Sequence, residues 1–203
     1  RLPRLTDFRS GEAREIEVKP VAIEDLLGRP QAALDLAAMK SLVNGKRVAI
    51  TGAGGTIGSE LCRQIAPFEP ASLPLIDNAE YNLYAIDQEL ADTYAAVPRV
   101  PYMGDVRDRG RIDSAFAKER PEVVFHAAAL KHVPMVEANP NEGVLTNVIG
   151  TRNVADACVA FDVATMVLIS TDKAVNPTNV MGATKRIAES YCQALGVAQV
   201  AAG

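Results

Sequence analysis

Short apolar runs over residues 46–50, 73–77, 100–103, 123–125 and 166–169 alternate with longer segments whose apolar residues fall three or four apart. Short apolar runs bounded by turn residues read as buried strands, and the wider spacing is the stripe of an amphipathic helix. The stripes are Leu61, Ile65 and Phe68, then Leu83, Ile86 and Leu90, then Ile112 and Phe116, with Asp108 placed to cap that third helix. A long helix from about Glu142 carries Leu145, Val148, Ala155 and Val159, and a last one spans roughly residues 180–195. The connections are too long for hairpins, so the strands must be parallel and covered by helices on both faces. The fold class this predicts is α/β, a Rossmann-like doubly wound parallel sheet. Pro74 and Pro101 each remove a ladder donor, so the second and third strands should pair imperfectly.

Residues 1–45 read as an arm or linker before this domain, which occupies residues 46–203. In the arm, Ile16 and Val18 alternate with charges like a short edge strand that Pro20 stops. Residues 21–27 form a short helical pattern closed by Gly28. Asp35 can cap a second helix with Leu36, Met39 and Val43 on one face, ended by Asn44 and Gly45.

Between the first strand and its helix lies Thr51-Gly-Ala-Gly-Gly-Thr-Ile-Gly58. Gly52, Gly55 and Gly58 give a tight turn, backbone approach to a pyrophosphate, and close helix-on-strand packing. The helix opening at Thr56 and Ile57 aims free N–H groups and partial positive charge at the phosphates. Asp77 ends the next run roughly 20 residues on, where a ribose-binding carboxylate belongs. Ligands of open parallel sheets sit at the carboxyl ends of the strands. Those ends hold the glycine loop, Asp77, Asp105 with Val106, the small run Ala127-Ala128-Ala129, and Thr171-Asp172-Lys173. Asp105 is either an acceptor for the adenine amino group or a turn residue. His126 reads as a satisfied strand-end histidine. Lys131 and His132, in an irregular segment, read as facing substrate. The cofactor expected is NAD rather than NADP, because Asp77 would repel a 2′-phosphate and Asn78-Ala79-Glu80 offers no nearby cation.

Composition narrows the class without deciding it. Hydrophobic content is 48% and net charge −4, as in a soluble globular chain. No basic stripe with aromatics is present, so no nucleic-acid partner is expected. Cys62, Cys158 and Cys192 fall in helical patterns without CxxC or Cys/His spacing, so neither a metal site nor a disulfide framework is expected, and a reducing compartment fits. No apolar run reaches the length of a membrane span. The first residue is Arg1, as in a piece of something longer.

The residues resemble the extended short-chain dehydrogenase/reductases and, more narrowly, the CapD-like nucleotide-sugar 4,6-dehydratases of bacterial capsule, O-antigen and glycan synthesis. The matching stretches are TGAGGTIGSEL from Thr51, HAAALKHVPMVEANP from His126, TNVIGT from Thr146 and STDKAVNPTNVMGATKR from Ser170. VAIEDLLGR in the arm is similar to the segment before the family's catalytic domain. The resemblance implies a UDP-sugar substrate and a homo-oligomer as one state of assembly. It also implies a cytoplasmic location, at the inner-membrane face where relatives carry anchoring segments not in this chain. Relatives continue beyond the equivalent of Gly203 into a lobe that grips the uridine diphosphate. This carboxyl-terminal substrate lobe is expected to be absent here, so the chain alone should bind cofactor without turnover.

One position departs from the wider superfamily, which uses Tyr-x-x-x-Lys on the last helix. Here the spacing gives Met181 and Lys185, and a thioether cannot act as a base. A methionine variant is familiar on the CapD-like branch. The resemblance implies oxidation at C4 of the hexose, loss of water across C5 and C6, and return of hydride to C6. It makes Asp172 the acid at the C6 hydroxyl and Lys173 the base at C5. Lys185 would hold the nicotinamide ribose and Asn147 would brace the site. Thr171, a water, or Asp172 itself could take the C4 hydroxyl proton. Those roles need Lys173 neutral, through burial or nearby cations such as Lys185, and Asp172 protonated when water leaves. An epimerase or reductase on the same fold, and an NAD-binding module without turnover, are the rival readings.

Overall fold

The structure is a computed structural model that describes residues 35–202. Residues 36–203 group as one compact unit, whose described part is treated below. The edge strand and first helix expected at residues 16–27 lie outside the described residues.

The unit begins earlier than the residue-46 boundary read from the sequence. Helix α1 (Leu36–Val43) belongs to it, because Val43 is buried in the core. Asn44 follows the helix and donates from its side chain to the Phe68 carbonyl, and Gly45 turns with φ +67°. The Gly45 amide donates to the Glu69 carbonyl, which fastens the end of α1.

Strand β1 (Val48–Thr51) leads through the glycine loop to α2 (Thr56–Ile65). Then come β2 (Leu73–Asp77), α3 (Glu80–Thr93), β3 (Arg99–Met103), α4 (Arg109–Glu119) and β4 (Val123–His126). Two short helices follow, α5 (Val133–Ala138) and α6 (Pro140–Gly143). A π-helical stretch (Val144–Gly150) then runs into α7 (Thr151–Ala160). Strand β5 (Thr165–Leu168) and the long α8 (Val180–Ala202) complete the described order. Among the described residues the strands form one parallel sheet in the order β3-β2-β1-β4-β5. The chain therefore winds outward from β1 in both directions, and its crevice lies where the order reverses, between β1 and β4.

The period-two alternation of each strand divides the core. Val48, Ile50, Leu73, Leu75, Val123 and Phe125 face α2 and α3, where Cys62, Ile65, Leu83, Ile86 and Leu90 meet them. Ala49, Ile76 and Val124 face the other way, onto Ile112, Phe116, Val154 and Ala157 of α4 and α7. Asp108 caps α4 as expected, its carboxylate accepting from the Arg111 amide at 3.0 Å.

Of the two strands expected to pair imperfectly, only β2 does, and β3 pairs fully despite Pro101. β2 registers with β3 along its whole length, but with β1 only at Leu75 and Ile76, just after Pro74. β3 is an edge strand. Leu73 donates to Pro98 and Gly104 donates to Asp77, so by alternation Pro101 turns its nitrogen to the open side and costs no bond.

The helix after β4 departs from the expected stripe. Leu145 and Val159 are exposed, whereas Asn147, Thr151, Asn153 and Val154 are buried. The wider π-helical turns rotate the helix relative to a 3.6-residue period and bring polar side chains inward.

Candidate functional site

The carboxyl ends of the strands border two cavities. One, of about 340 Å³, is lined by Gly52, Gly55, Asp77, Asp105, Val106 and Ala127 through Ala129, together with Asn78, Ala79, Arg107 and Glu142. The second, of about 300 Å³, is lined by Ile57, Lys131, Thr171, Lys173, Met181 and Lys185. They share Ala127, Ala129 and Leu130, so the small residues after β4 form a common wall.

The first cavity is shaped by the absence of side chains. Gly52 adopts φ +69°, and a Cβ there would lie 2.6 Å from the Ala128 amide nitrogen. Gly55 precedes α2 with no side-chain cap, leaving the helix terminus open to an anion. Gly58 packs the first turn of α2 against the loop, while Thr56 at the helix start is exposed. Gly54 was not singled out by the sequence pattern, yet its amide donates to the Asp77 carboxylate at 2.9 Å. The other Asp77 oxygen accepts from the Ala79 amide at 2.8 Å. Asp77 is thus 9% exposed and aimed by two backbone donors.

Asp105 lines this cavity with both oxygens engaged. It accepts from the Arg107 amide at 2.9 Å and side chain at 2.8 Å, and from the Asn78 amide group at 3.4 Å. Burial works against its charge, but the Arg107 bonds and charge outweigh it and hold the carboxyl below its usual range. Arg107 also reaches Glu142 at 2.7 Å. A cation therefore does stand in the cavity, contrary to the reading of residues 78–80, but two carboxylates already neutralise it. Sequence spacing gave no sign of it because Arg107 belongs to another strand's loop.

In the second cavity Met181 is buried, at 3% exposure, one helical turn from Lys185. Lys185 is buried too, and its ammonium donates to the Ile169 carbonyl at 2.6 Å. Burial lowers its pKa against the opposing pull of Glu189. Asn147 lies behind the wall, where its amide accepts from the Leu130 amide at 2.8 Å and donates to the Leu130 carbonyl and the Thr184 hydroxyl, each at 3.0 Å. Thr184 in turn donates to the Met181 carbonyl at 2.7 Å. The brace thus joins the π-helical stretch, the β4 loop and α8.

Thr171, Asp172 and Lys173 form a short turn after β5. The Thr171 hydroxyl donates to Asp172 at 3.0 Å, and the Lys173 ammonium is 3.5 Å from the same carboxylate. The expected burial is not found: the Lys173 side chain is 50% exposed and that of Asp172 is 88% exposed. The Thr171 hydroxyl, aided by Lys173, holds the Asp172 carboxyl below its usual range, the reverse of the upward shift an acid role suggests. Lys131 lines the second cavity, whereas His132 precedes α5 on the exposed surface and lines neither cavity.

His126 is a buried structural histidine. Its ring nitrogens meet the Thr51 hydroxyl at 2.6 Å and the Thr151 hydroxyl at 2.9 Å. Burial, with Lys185 as the smaller cause, pushes its pKa down to about 3. The folded protein therefore binds fewer protons here than the unfolded chain, and stability should fall as pH drops from about 6.5 toward about 3. The slope from this residue should approach about 1.4 kcal/mol per pH unit inside that window. Denaturant titrations of His126→Asn should lose that slope; an unchanged acid limb would show that other groups set it.

Residues 48–202 match the family described as polysaccharide biosynthesis protein. The chain belongs to that family. It is 46% identical to the capsular polysaccharide biosynthesis protein CapD of Staphylococcus aureus over 96% of the chain and 33% of that protein. A UDP-N-acetylglucosamine 4,6-dehydratase (inverting) of Campylobacter jejuni is 37% identical over 71% of the chain and 42% of that protein. A UDP-glucose 4-epimerase of Rickettsia canadensis is 36% identical over 71% and 42%. This CapD-like chain therefore spans between a third and half of the length of these relatives. Among solved structures, Pen from Bacillus thuringiensis superposes with TM-score 0.72 at 36% identity, over 77% of the chain and 47% of Pen. WbmG from Bordetella bronchiseptica, solved in complex with NAD and UDP, gives TM-score 0.61 at 25% identity over 74% and 50%.

Proposed function

We propose that this CapD-like domain binds NAD and forms the catalytic core of a nucleotide-sugar 4,6-dehydratase acting on a substrate of the UDP-N-acetylglucosamine type. The observation that carries the reading is the second cavity. Met181 lines it in the place of a Tyr base, Thr171 and Lys173 line it too, and Asp172, outside the lining, stands 3.5 Å from Lys173 to serve with it as an acid–base pair.

The first cavity fits a dinucleotide, because its floor is a glycine loop where an added Cβ at Gly52 would strike the Ala128 backbone. Asp77 is held to receive ribose hydroxyls, Lys185 lines the adjoining second cavity, and WbmG was solved with NAD and UDP. A bound nicotinamide supplies a hydride acceptor for C4 and a donor for C6.

The chain's own residues move the protons. Asp172 starts ionised, as the Thr171 hydroxyl and Lys173 favour, and takes the C4 hydroxyl proton through Thr171. Lys173, as the free amine, removes the C5 proton made acidic by the C4 ketone. Asp172 returns its proton to the C6 hydroxyl, which leaves as water. Lys173 gives its proton back to C5 when C6 is reduced, so both residues end as they began. A sugar seated on Asp172 and Lys173 would shield them from solvent, and desolvation favours the neutral amine and the protonated carboxyl that the elimination uses.

Similarity to the Rickettsia epimerase favours a second reading, C4 epimerisation on the same scaffold. That reaction also needs a base at the C4 hydroxyl, and it gives the C5 pair no task. With a polypeptide of the relatives' full length and UDP-N-acetylglucosamine, NMR should show a C6 methyl group and a C4 ketone. A C4 epimer with its C6 hydroxyl intact would overturn the proposal.

NAD should be preferred to NADP. Asp77 repels a 2′-phosphate, and Arg107 is already neutralised by Asp105 and Glu142. Calorimetry should show NADP at least tenfold weaker, and Asp77→Ala should narrow the gap. Equal affinities for the unaltered protein would contradict this.

A further inference from the structure

Four polar side chains join the first cavity's rim into one chain. Asn78 donates to Asp105 at 3.4 Å, Asp105 pairs with Arg107 at 2.6 Å, and Arg107 pairs with Glu142 at 2.7 Å. Asn78 follows β2, Asp105 and Arg107 follow β3, and Glu142 lies in α6, after β4. In the sheet order, β2 and β1 stand between β3 and β4, and their carboxyl ends carry Asp77 and the glycine loop. The Arg107–Glu142 pair therefore ties together the two chain segments that flank the cavity's mouth, and both residues line the cavity.

The pair is poised to break. Arg107 is 39% exposed and Glu142 is 53% exposed, so water and salt screen the attraction. Arg107 serves two carboxylates at once through separate nitrogens, a geometry that lysine cannot reproduce. Each link uses protein groups only, so closing it neither needs nor favours an occupant.

We propose that Arg107 and Glu142 form a latch that sets how fast the dinucleotide enters and leaves this cavity, with Arg107 as its pivot. This rests on the dinucleotide reading above. A gate of this kind slows capture as well as release. A direct contact would instead slow release and tighten binding.

The experiment is rapid mixing of NADH with the full-length protein, followed by its fluorescence, at several salt concentrations. Glu142→Gln should raise both the capture and the release rate about two- to fivefold, the range of one exposed ion pair. Release from the unaltered protein should speed up with added salt, and Glu142→Gln should lose most of that dependence. Arg107→Lys should fall between the two. Unchanged rates in Glu142→Gln, or a rise in release alone with a matching loss of affinity, would overturn the latch while leaving the dinucleotide reading intact. Absence of NADH and NADPH binding to the unaltered protein would overturn both.

Discussion

Replacing Lys173 by Met should abolish product formation and, with it, exchange of the sugar's C5 hydrogen with solvent. Lys173 lines the second cavity, and its ammonium stands 3.5 Å from Asp172, with no other lysine in the same turn. Methionine keeps a similar length and apolar stem while removing the nitrogen that takes the proton. Loss of a positioned acid or base lowers rates by about 10²- to 10⁴-fold. Asp172→Asn should lose oxidation at C4 by a similar factor, and with it both C5 exchange and water release, because no C4 ketone forms to make the C5 proton acidic. The NADH absorption band separates the two, since Lys173→Met should still form NADH with substrate and Asp172→Asn should not. A Lys173→Met enzyme that exchanges C5 at the unaltered rate would remove Lys173 from its role. Loss of oxidation at C4 in Asp172→Asn would confirm Asp172 as the acceptor of the C4 hydroxyl proton, the task Met181 cannot perform.

The second large effect concerns Gly52. Gly52→Ala forces an L side chain into φ +69° and drives its Cβ to 2.6 Å from the Ala128 amide, a backbone atom that cannot swing aside. The left-handed backbone costs about 1–2 kcal/mol and the overpacking about 1–3 kcal/mol. Thermal unfolding should register that loss, and the displaced loop should weaken NAD binding by at least about tenfold, or about 1.4 kcal/mol. Gly196→Ala is the matched control. It sits in α8 with nothing within 4 Å of an added Cβ, so it should be neutral or slightly stabilising. Equal destabilisation of the two variants would show that propensity, not the fit of the loop, sets the cost.

Much of this architecture is legible in the chain because β1, β2 and β4 are buried on both faces and the outer helices are not. Leu83, Ile86 and Leu90 form the buried stripe of α3, and Asp108 caps α4, since both depend on local spacing alone. The segment after β4 resisted the same reading. Its stretch from Val144 to Gly150 is π-helical, and the residues turned inward include Asn147 and Thr151, each fixed by partners distant in sequence. Helix α5 offers no stripe for spacing to reveal, because it is short, opens with a proline near its first turn, and buries only Val136. At the site, Asp77 and the glycine loop announce themselves by order and distance along the chain. Arg107 does not, because its place in the cavity depends on Asp105 and Glu142. Nor could spacing reveal that the turn after β5 leaves Asp172 largely in water.

Asp172 and Lys173 are proposed to serve an elimination between C5 and C6 and not an inversion at C4. The most direct test follows one labelled hydrogen. A polypeptide of the relatives' full length would be given UDP-N-acetylglucosamine carrying deuterium at C4, in ordinary water. The label should appear in the C6 methyl group of a 4-keto product. Deuterium retained at C4 of a sugar whose C6 hydroxyl is intact would contradict it.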